Sequence, residues 1–240
     1  MTDSFDYESI AKMIDHSLLN PSLTTAELEE GIALAIRYNV ASVCIVPFYL
    51  ARCAELLAGT TVHASTTIGF PHGGHTTAIK LAEVLQALAD GGQELDVVIN
   101  IGKARSGDWQ YVRRELAALV EPIHAAGAKV KVIFENAYLD DAARIRLCGI
   151  CAEIHVDWVK TSTGFAPSGA TLPDLKLMRK HSPKQVQVKA AGAIRDLDTL
   201  LAVRAIGVSR VGATRTQHML DDCRRRLGLE PISNGAATVE

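Results

Sequence analysis

Three lysines lie in apolar, β-branched segments of this 240-residue chain, where a charged side chain is costly to bury. They are Lys131 in KVKVIFE, Lys160 in VKTSTG and Lys189 in QVQVKAAG. An unprotonated lysine can attack an aldehyde or ketone carbonyl, and the resulting iminium withdraws electrons from the neighbouring carbon. Because the ordinary lysine pKa of about 10.4 makes the neutral amine rare at pH 7, burial or a second cation must lower it. Lysines that share one cavity would therefore predict Schiff-base chemistry.

The elements that must position these lysines are short strands that alternate with amphipathic helices. Strands are predicted at 14–19, 41–46, 63–70, 94–101, 128–135, 157–163, 185–192 and 209–214. Helices are predicted at 24–38, 81–88, 112–123, 139–154, 171–181, 196–206 and 214–226. Eight strands without a Pro/Ser-rich linker favour an α/β fold with one closed (β/α)8 TIM barrel over an open doubly wound sheet. The whole chain, 1–240, is predicted to be one domain, with a short N-terminal lid helix at 1–12 and a flexible tail at 229–240.

The predicted strands alternate polar and apolar residues, although parallel strands covered on both faces are usually continuous apolar runs. Side-chain direction in a strand has period two, and the apolar side must face the surrounding helices. The polar side then faces the barrel axis. There it brings together five charged residues that occupy similar places in their strands: Asp15, Asp96, Lys131, Lys160 and Lys189.

Any one of these lysines, taken alone, is better explained as a salt-bridged strand residue. Three lysines and two carboxylates aimed at one cavity are a poor device for stability, and barrels of this kind perform their chemistry at the carboxyl ends of the strands. A catalytic site is then the better explanation. Either Lys160 or Lys189 is the nucleophile and the other lowers its pKa, while Asp96 is the leading acid/base. The residues themselves do not decide between the two lysines.

The last two strands end in KAAGAIR (189–195) and VGATRT (211–216), each with a glycine before a helix start. Barrels commonly bind phosphate at backbone amides after these two strands. A phosphorylated substrate is predicted, with charge from Arg195 and also from Arg215. The amides expected to contribute are those of Gly192, Ile194, Gly212 and Thr214.

Other features of the sequence exclude several classes of function. A net charge of −2 gives no general attraction to nucleic acid, and no segment is long and apolar enough to cross a membrane. A cytoplasmic protein with free thiols is expected, because the five cysteines are scattered and the CxxC at Cys148 and Cys151 has no second pair. No metal or other cofactor is predicted, since His72 and His75 lack a third converging ligand.

The sequence resembles the deoxyribose-phosphate aldolase family of class I aldolases nearly from end to end. The motifs are IDHSLLNP (14–21), SVCIVP (42–47), TTIGFPHG (66–73), LDVVINIG (95–102), VKVIFE (130–135), VKTSTGF (159–165) and KAAGAIR (189–195). The resemblance implies that Lys160 forms the Schiff base, that Asp96 donates and accepts protons, and that Lys189 is the second active-site lysine. It also implies reversible cleavage of 2-deoxy-D-ribose 5-phosphate to acetaldehyde and D-glyceraldehyde 3-phosphate in cytoplasmic deoxyribonucleotide catabolism, commonly by a homodimer.

A further set of residues is expected to contact the aldehyde and sugar-phosphate substrates. These are Asp15, Ser17, Cys44, Lys131, Thr163, Gly164, Gly192, Ile194, Arg195, Gly212 and Thr214. The chain departs from the family pattern at Ala193, where a second glycine is usual, at Arg215, and at a C-terminus without tyrosine. Two alternatives are another lysine-dependent sugar-phosphate aldolase and a non-catalytic barrel that binds phosphate ligands.

Overall fold

The computed structural model describes residues 5–232, and its strands form one closed parallel barrel. The strands are β1 (Ile14–Leu18), β2 (Ser42–Ile45), β3 (His63–Ile68), β4 (Glu94–Val98), β5 (Lys129–Ile133), β6 (Trp158–Lys160), β7 (Gln187–Ala191) and β8 (Arg210–Ala213). They pair in sequence order, and β8 pairs with β1 to close the ring. Each strand lies within its predicted range, so the predicted TIM barrel is confirmed.

Helices follow the strands and cover the outside of the barrel. They are α1 (Tyr7–Ala11), α2 (Thr25–Arg37), α3 (Leu50–Leu57), α4 (Thr77–Ala89), α5 (Ile101–Arg105), α6 (Trp109–Ala125), α7 (Asp141–Glu153), α8 (Leu172–His181), α9 (Leu197–Ala205) and α10 (Thr216–Arg226). The sequence patterns missed α3 and α5. The predicted fourth strand continued to Ile101, but Asn100 accepts a hydrogen bond from the Lys103 amide at 3.0 Å and begins α5 instead.

The first helix, α1, lies at the opposite end of the barrel from its mouth, and the lid predicted for 1–12 stays a prediction. Only two residues separate α1 from β1, so α1 must lie at the amino-terminal end of that strand. Lys12 then donates from Nζ to the Val40 and Thr61 carbonyls, at 3.0 and 3.2 Å, just before β2 and β3. The first four residues of the predicted lid, and 233–240 of the predicted tail, lie outside the described residues.

The barrel interior is filled in layers of four residues, each layer taken from alternate strands. Ion pairs and register indicate three charged or polar layers, while the valines and leucines of the same strands are buried against the helices. From the amino-terminal end upward, the layers are Ser42, Glu94, Trp158 and Arg210, then Asp15, Ser65, Lys131 and Lys189, then Cys44, Asp96, Lys160 and Gly212. The sequence alternation therefore places charges inside the barrel.

One buried ion pair outside the barrel supports the strand that contains Asp96. Lys80 on α4 donates from Nζ to Glu115 on α6 at 2.9 Å and to the Val98 carbonyl of β4 at 2.8 Å. Both charged side chains are fully buried. The pair therefore joins two helices to the carboxyl end of β4.

We expect Lys80→Met to lower the free energy of unfolding by about 3–5 kcal/mol, because it leaves Glu115 charged and unpaired in the interior. The exposed pair of Arg113 and Glu153 provides the control, since Arg113→Met should cost less than about 1 kcal/mol. Denaturant unfolding of both variants measures the difference. Equal losses would contradict a specific role for the buried pair.

Candidate active site

A cavity of about 790 Å³ opens at the carboxyl ends of the strands, where the sequence predicted the site. Its walls come from β1, β2, β6, β7, β8 and the loops that follow them. The predicted residues that line it are Asp15, Ser17, Cys44, Lys160, Thr163, Gly164, Lys189, Gly192, Ile194, Arg195, Gly212 and Thr214. Asp96 and Lys131 do not line it.

Two lysines of the cavity share one carboxylate oxygen. Lys160 on β6 and Lys189 on β7 are register partners, so their side chains point the same way from neighbouring strands. The Nζ atom of each lies 2.7 Å from Oδ2 of Asp96. Both lysines are almost completely buried. Two ammonium groups on one oxygen repel each other strongly at low dielectric, which favours loss of one proton.

The surroundings distinguish the two amines. Burial lowers the pKa of Lys160, Asp96 opposes that change, and the Lys189 ammonium reinforces it, so the net direction is downward. Burial also acts on Lys189, but the carboxylates of Asp15 and Asp96 together raise its pKa. Asp15 Oδ2 lies 2.5 Å from Lys189 Nζ and makes no such contact with Lys160. The arrangement therefore suits a neutral Lys160 beside a cationic Lys189.

Asp96 lies behind these two amines as seen from the cavity, which it does not line, and it is fully buried. Burial would raise its pKa, but Lys131, Lys160 and Lys189 outweigh burial and hold the pKa well below the ordinary range. The carboxylate is therefore ionised. Because its Oδ2 is in contact with both cavity-lining lysines, any proton it exchanges with a ligand has to pass by those two amines.

Lys131 does not line the cavity, and its predicted contact with substrate stays a prediction. Its Nζ lies in the layer below, 2.9 Å from Asp96 Oδ1 and 2.7 Å from Glu94 Oε2, and is fully buried. A lysine so enclosed by carboxylates keeps its proton, and its pKa is raised despite burial. Lys131 therefore holds Asp96 in place from beneath.

Sequence reasoning missed two charged residues of the lowest layer. Arg210 makes a two-pronged contact with Glu94, with Nη2 2.8 Å from Oε1 and Nη1 3.0 Å from Oε2, and also donates to Asp15. Ser42 donates to the same Asp15 carboxylate at 2.7 Å. The period-two alternation of β4 already placed Glu94 on the same side of the strand as Asp96, so the sequence contained the signal for Glu94. Arg210 stands two residues before Gly212, on the inward side of β8.

A third missed residue, Glu135, supports the loop after Lys160. Its backbone is left-handed, with φ of 57°, directly after β5. The buried carboxylate accepts hydrogen bonds from the Thr163 amide at 3.2 Å and from the Thr163 hydroxyl. Burial raises the pKa of Glu135, and the Thr163 hydrogen bonds oppose it. Glu135 thus fixes the KTSTG segment against the wall of the cavity.

The end of the cavity near β7 and β8 is shaped mainly by backbone. Gly192 has φ of 72°, and an added Cβ would come within 2.8 Å of the Gly169 Cα, so the position requires glycine. Helix α10 begins without a side-chain cap, which leaves the amides of its first turn without a side-chain acceptor. Thr214 and Arg195 line the same end, whereas Arg215 does not. This end has the donors that an anion needs.

The groups concerned in metal binding are the cysteines, histidines and carboxylates of residues 5–232, and membrane insertion would need a long apolar helix. Among these residues no cluster of three or more His, Cys, Asp and Glu side chains has the arrangement of a metal site. Cys148 and Cys151 are buried free thiols within α7. No helix in this part of the chain is long and apolar enough to span a bilayer.

Comparisons with known proteins agree with this geometry. Residues 9–221 match the model of the DeoC/LacD family aldolases. A relative from Rhodopirellula baltica, named deoxyribose-phosphate aldolase, is 62% identical over 95% of both chains. Another of that name, from Caldanaerobacter subterraneus, is 40% identical over 91% of this chain and 95% of its own.

Solved structures give the same answer for the fold. The aldolase QR15 is 32% identical, with a TM-score of 0.87 over 96% of this chain and 100% of its own. The tetrameric deoxyribose phosphate aldolase from Aeropyrum pernix is 28% identical, with a TM-score of 0.83 over 90% of this chain and 92% of its own. With a buried lysine pair at the mouth of a parallel barrel and these relatives, the chain belongs to the DeoC/LacD family of aldolases.

Proposed function

We propose that this aldolase cleaves 2-deoxy-D-ribose 5-phosphate reversibly to acetaldehyde and D-glyceraldehyde 3-phosphate through a Schiff base on Lys160. The observation on which the proposal rests is the shared Asp96 oxygen, 2.7 Å from Lys160 Nζ and 2.7 Å from Lys189 Nζ. Of the two cavity-lining lysines, Lys160 has the lowered pKa that a nucleophilic amine needs, whereas the pKa of Lys189 is raised. The names of the relatives support the choice of substrate.

In the cleavage direction, the neutral Lys160 amine adds to the C1 aldehyde of the open-chain sugar. Loss of water from the adduct gives an iminium, which withdraws electrons from the C2–C3 bond. The C3 hydroxyl loses its proton as that bond breaks, which releases glyceraldehyde 3-phosphate and leaves an enamine on Lys160. Protonation of the enamine at its terminal carbon and hydrolysis by water release acetaldehyde and restore the amine.

We assign the proton transfers to Asp96 acting together with Lys189. Lys189 lines the cavity and contacts Asp96 Oδ2, so it can pass a proton between that carboxylate and a bound substrate. It also stays cationic, which keeps Lys160 poor in protons. One residue therefore serves both as relay and as electrostatic neighbour.

We assign the phosphate to the backbone amides of Gly192, Ile194, Gly212 and Thr214, with Arg195 adding charge. All of these line the cavity at or just after the ends of β7 and β8. Phe165 follows the KTSTG run and offers no anion site for the second carboxylate or phosphate of other aldolase substrates. This disfavours the alternative of a different lysine-dependent sugar-phosphate aldolase.

Cys44 lines the cavity beside these residues, but we give it no required role. Burial raises the pKa of its thiol, and the Asp96 carboxylate adds to that effect, so the group stays protonated. The homodimer, the cytoplasmic location and the part in deoxyribonucleotide catabolism stay predictions. The Aeropyrum pernix relative is described as tetrameric, which leaves the assembly of this chain to be measured.

Borohydride reduction in the presence of acetaldehyde should attach a two-carbon adduct to Lys160, because only an iminium is trapped in this way. Peptide mass spectrometry locates the adduct, and Lys160→Met should abolish both the adduct and retro-aldol turnover of deoxyribose 5-phosphate. Lys176 on α8 is exposed, so Lys176→Met is the matched control and should retain full activity.

The same measurement separates the alternatives. A non-catalytic phosphate binder would bind the sugar phosphate but give no adduct. A different aldolase would give the adduct but turn over another sugar phosphate faster than deoxyribose 5-phosphate. Full activity in Lys160→Met would refute the assignment of the nucleophile.

Replacing Lys189 with methionine should move the pH–rate profile to higher pH. Without the neighbouring ammonium the pKa of Lys160 rises, so less of the amine is neutral at pH 7. A rise of one in pKa lowers the reactive fraction about tenfold, and loss of the proton relay lowers turnover further. An unchanged profile would leave Lys189 with a structural role only.

Replacing Arg195 with methionine should raise KM for deoxyribose 5-phosphate about tenfold or more, because a charge-assisted contact to phosphate is lost. Turnover of unphosphorylated 2-deoxyribose should not change. Arg146 is exposed on α7, outside the cavity, and Arg146→Met is the control for general charge effects. Equal losses with both sugars would argue against a phosphate contact.

A further inference from the structure

We propose that Arg210 is a positioning residue that keeps Lys160 unprotonated by neutralising the two carboxylates at the base of the barrel. Arg210 lies in the lowest interior layer, below the cavity-lining Asp15 and Lys189, and does not itself line the cavity. It acts through Asp15, Glu94 and the two lysines that those carboxylates contact. The proposed function gives this state of Lys160 its purpose, but the charge balance is a property of the folded barrel alone.

The contacts of Arg210 engage both deep carboxylates at once. Its guanidinium holds Glu94 in a two-pronged contact, at 2.8 and 3.0 Å, and donates to Asp15 from the same Nη1. The central carbon of the guanidinium lies over the Trp158 ring, 5.0 Å from the ring centroid. The planar guanidinium suits a two-pronged contact with one carboxylate while it also donates to a second.

The three interior layers contain three carboxylates and four basic side chains. Each carboxylate of the layers can be matched with one permanent cation, and Lys160 is left over. The carboxylates are Asp15, Glu94 and Asp96, and their partners are Arg210, Lys131 and Lys189. A protonated Lys160 would add an unbalanced positive charge to a closed interior, where unpaired charge is expensive.

Loss of Arg210 would change how Lys131 and Lys189 are shared among the three interior carboxylates. Lys131 contacts both Glu94 and Asp96, and Lys189 contacts both Asp15 and Asp96. Without the guanidinium, the deep carboxylates would draw more on these two ammonium groups, and Asp96 would be left with less positive charge around it. A proton on Lys160 would then restore the balance.

Other titratable groups face this cluster and enter the design of the test. His63 Nδ1 lies 2.9 Å from Glu94 Oε1 at the amino-terminal end of the barrel, and Lys12 and Lys129 lie at the same end. Near Lys160, the cavity wall contributes the thiol of Cys44. The carboxylate of Glu135 lies on the neighbouring strand end. Arg210 differs from all of these because it contacts two of the three interior carboxylates.

The test is competitive acetylation of Lys160 by acetic anhydride across a pH series, read by peptide mass spectrometry. This reaction reports the fraction of neutral amine without any aldehyde chemistry. Arg210→Met keeps much of the side-chain volume and removes the charge. We expect it to move the labelling midpoint of Lys160 to higher pH by about one pH unit, since a buried charge a few layers away has an effect of this size.

The matched variant is Glu94→Gln, which removes a negative charge from the same contact and should move the midpoint to lower pH. The double variant restores the balance and should return the midpoint close to that of the unmodified protein. Arg210→Lys keeps the charge and should also leave the midpoint near its original value. His63→Gln checks that the midpoint does not report the titration of that imidazole.

The directions in which Arg210→Met and Glu94→Gln move the labelling midpoint of Lys160 test the proposal. If Arg210 only supports the fold, both single variants break the same contact and move the midpoint in the same direction or not at all, and either result overturns the proposal. If Arg210→Met fails to fold, Glu94→Gln alone still has to move the labelling midpoint of Lys160 to lower pH. If the two variants shift the midpoint in opposite directions but the unmodified protein has no aldol turnover, the charge balance stands and the proposed function is rejected. If the unmodified protein has aldol turnover but the shifts are not opposite, the proposed function stands and the role of Arg210 is rejected.

Discussion

The structure of the site depends on one unfavourable interaction, the approach of two buried lysine amines to a single oxygen of Asp96. Lys160 and Lys189 each lie 2.7 Å from that oxygen, which places two potential ammonium groups close together away from water. Low dielectric makes their repulsion large, and the least costly relief is for one amine to lose its proton. Lys189 keeps its proton more readily because the Asp15 carboxylate also contacts it, so Lys160 is the amine favoured to lose its proton.

A parallel barrel is well suited to maintaining such an interaction. Neighbouring strands fix Lys160 against Lys189 and Asp96 against Lys131 through backbone register rather than through flexible loops. A slip of one residue in any of these strands would turn its charged side chains toward the apolar helices, and the cost of that exposure to the core specifies the register. The repulsion is therefore held by the stability of the whole sheet.

The sequence predicted the barrel and the convergence of charges because both follow from short-range periods. Asp96 and the three lysines were placed inward by alternation alone. Depth along the barrel axis was not predictable, because it depends on strand tilt and on which strands share a layer. Alternation alone therefore could not show that Lys131 lies outside the cavity lining. The end of the barrel at which helix α1 lies was likewise not predictable from the short segment 1–12.

The two ends of the cavity are built on different principles, and this explains where the chain can differ from its relatives. Around Lys160 every charged group contacts two or more others, so a single change disturbs the whole set. The end assigned to phosphate is defined by backbone, and there Ala193 has φ of 71° where the resembling family usually has glycine. A left-handed alanine costs about 1–2 kcal/mol. Such a cost stays local, because Ala193 is exposed and has no side-chain contact with the interior ion pairs. Substitutions at this end can therefore change the affinity for phosphate while the ionisation of Lys160 is preserved.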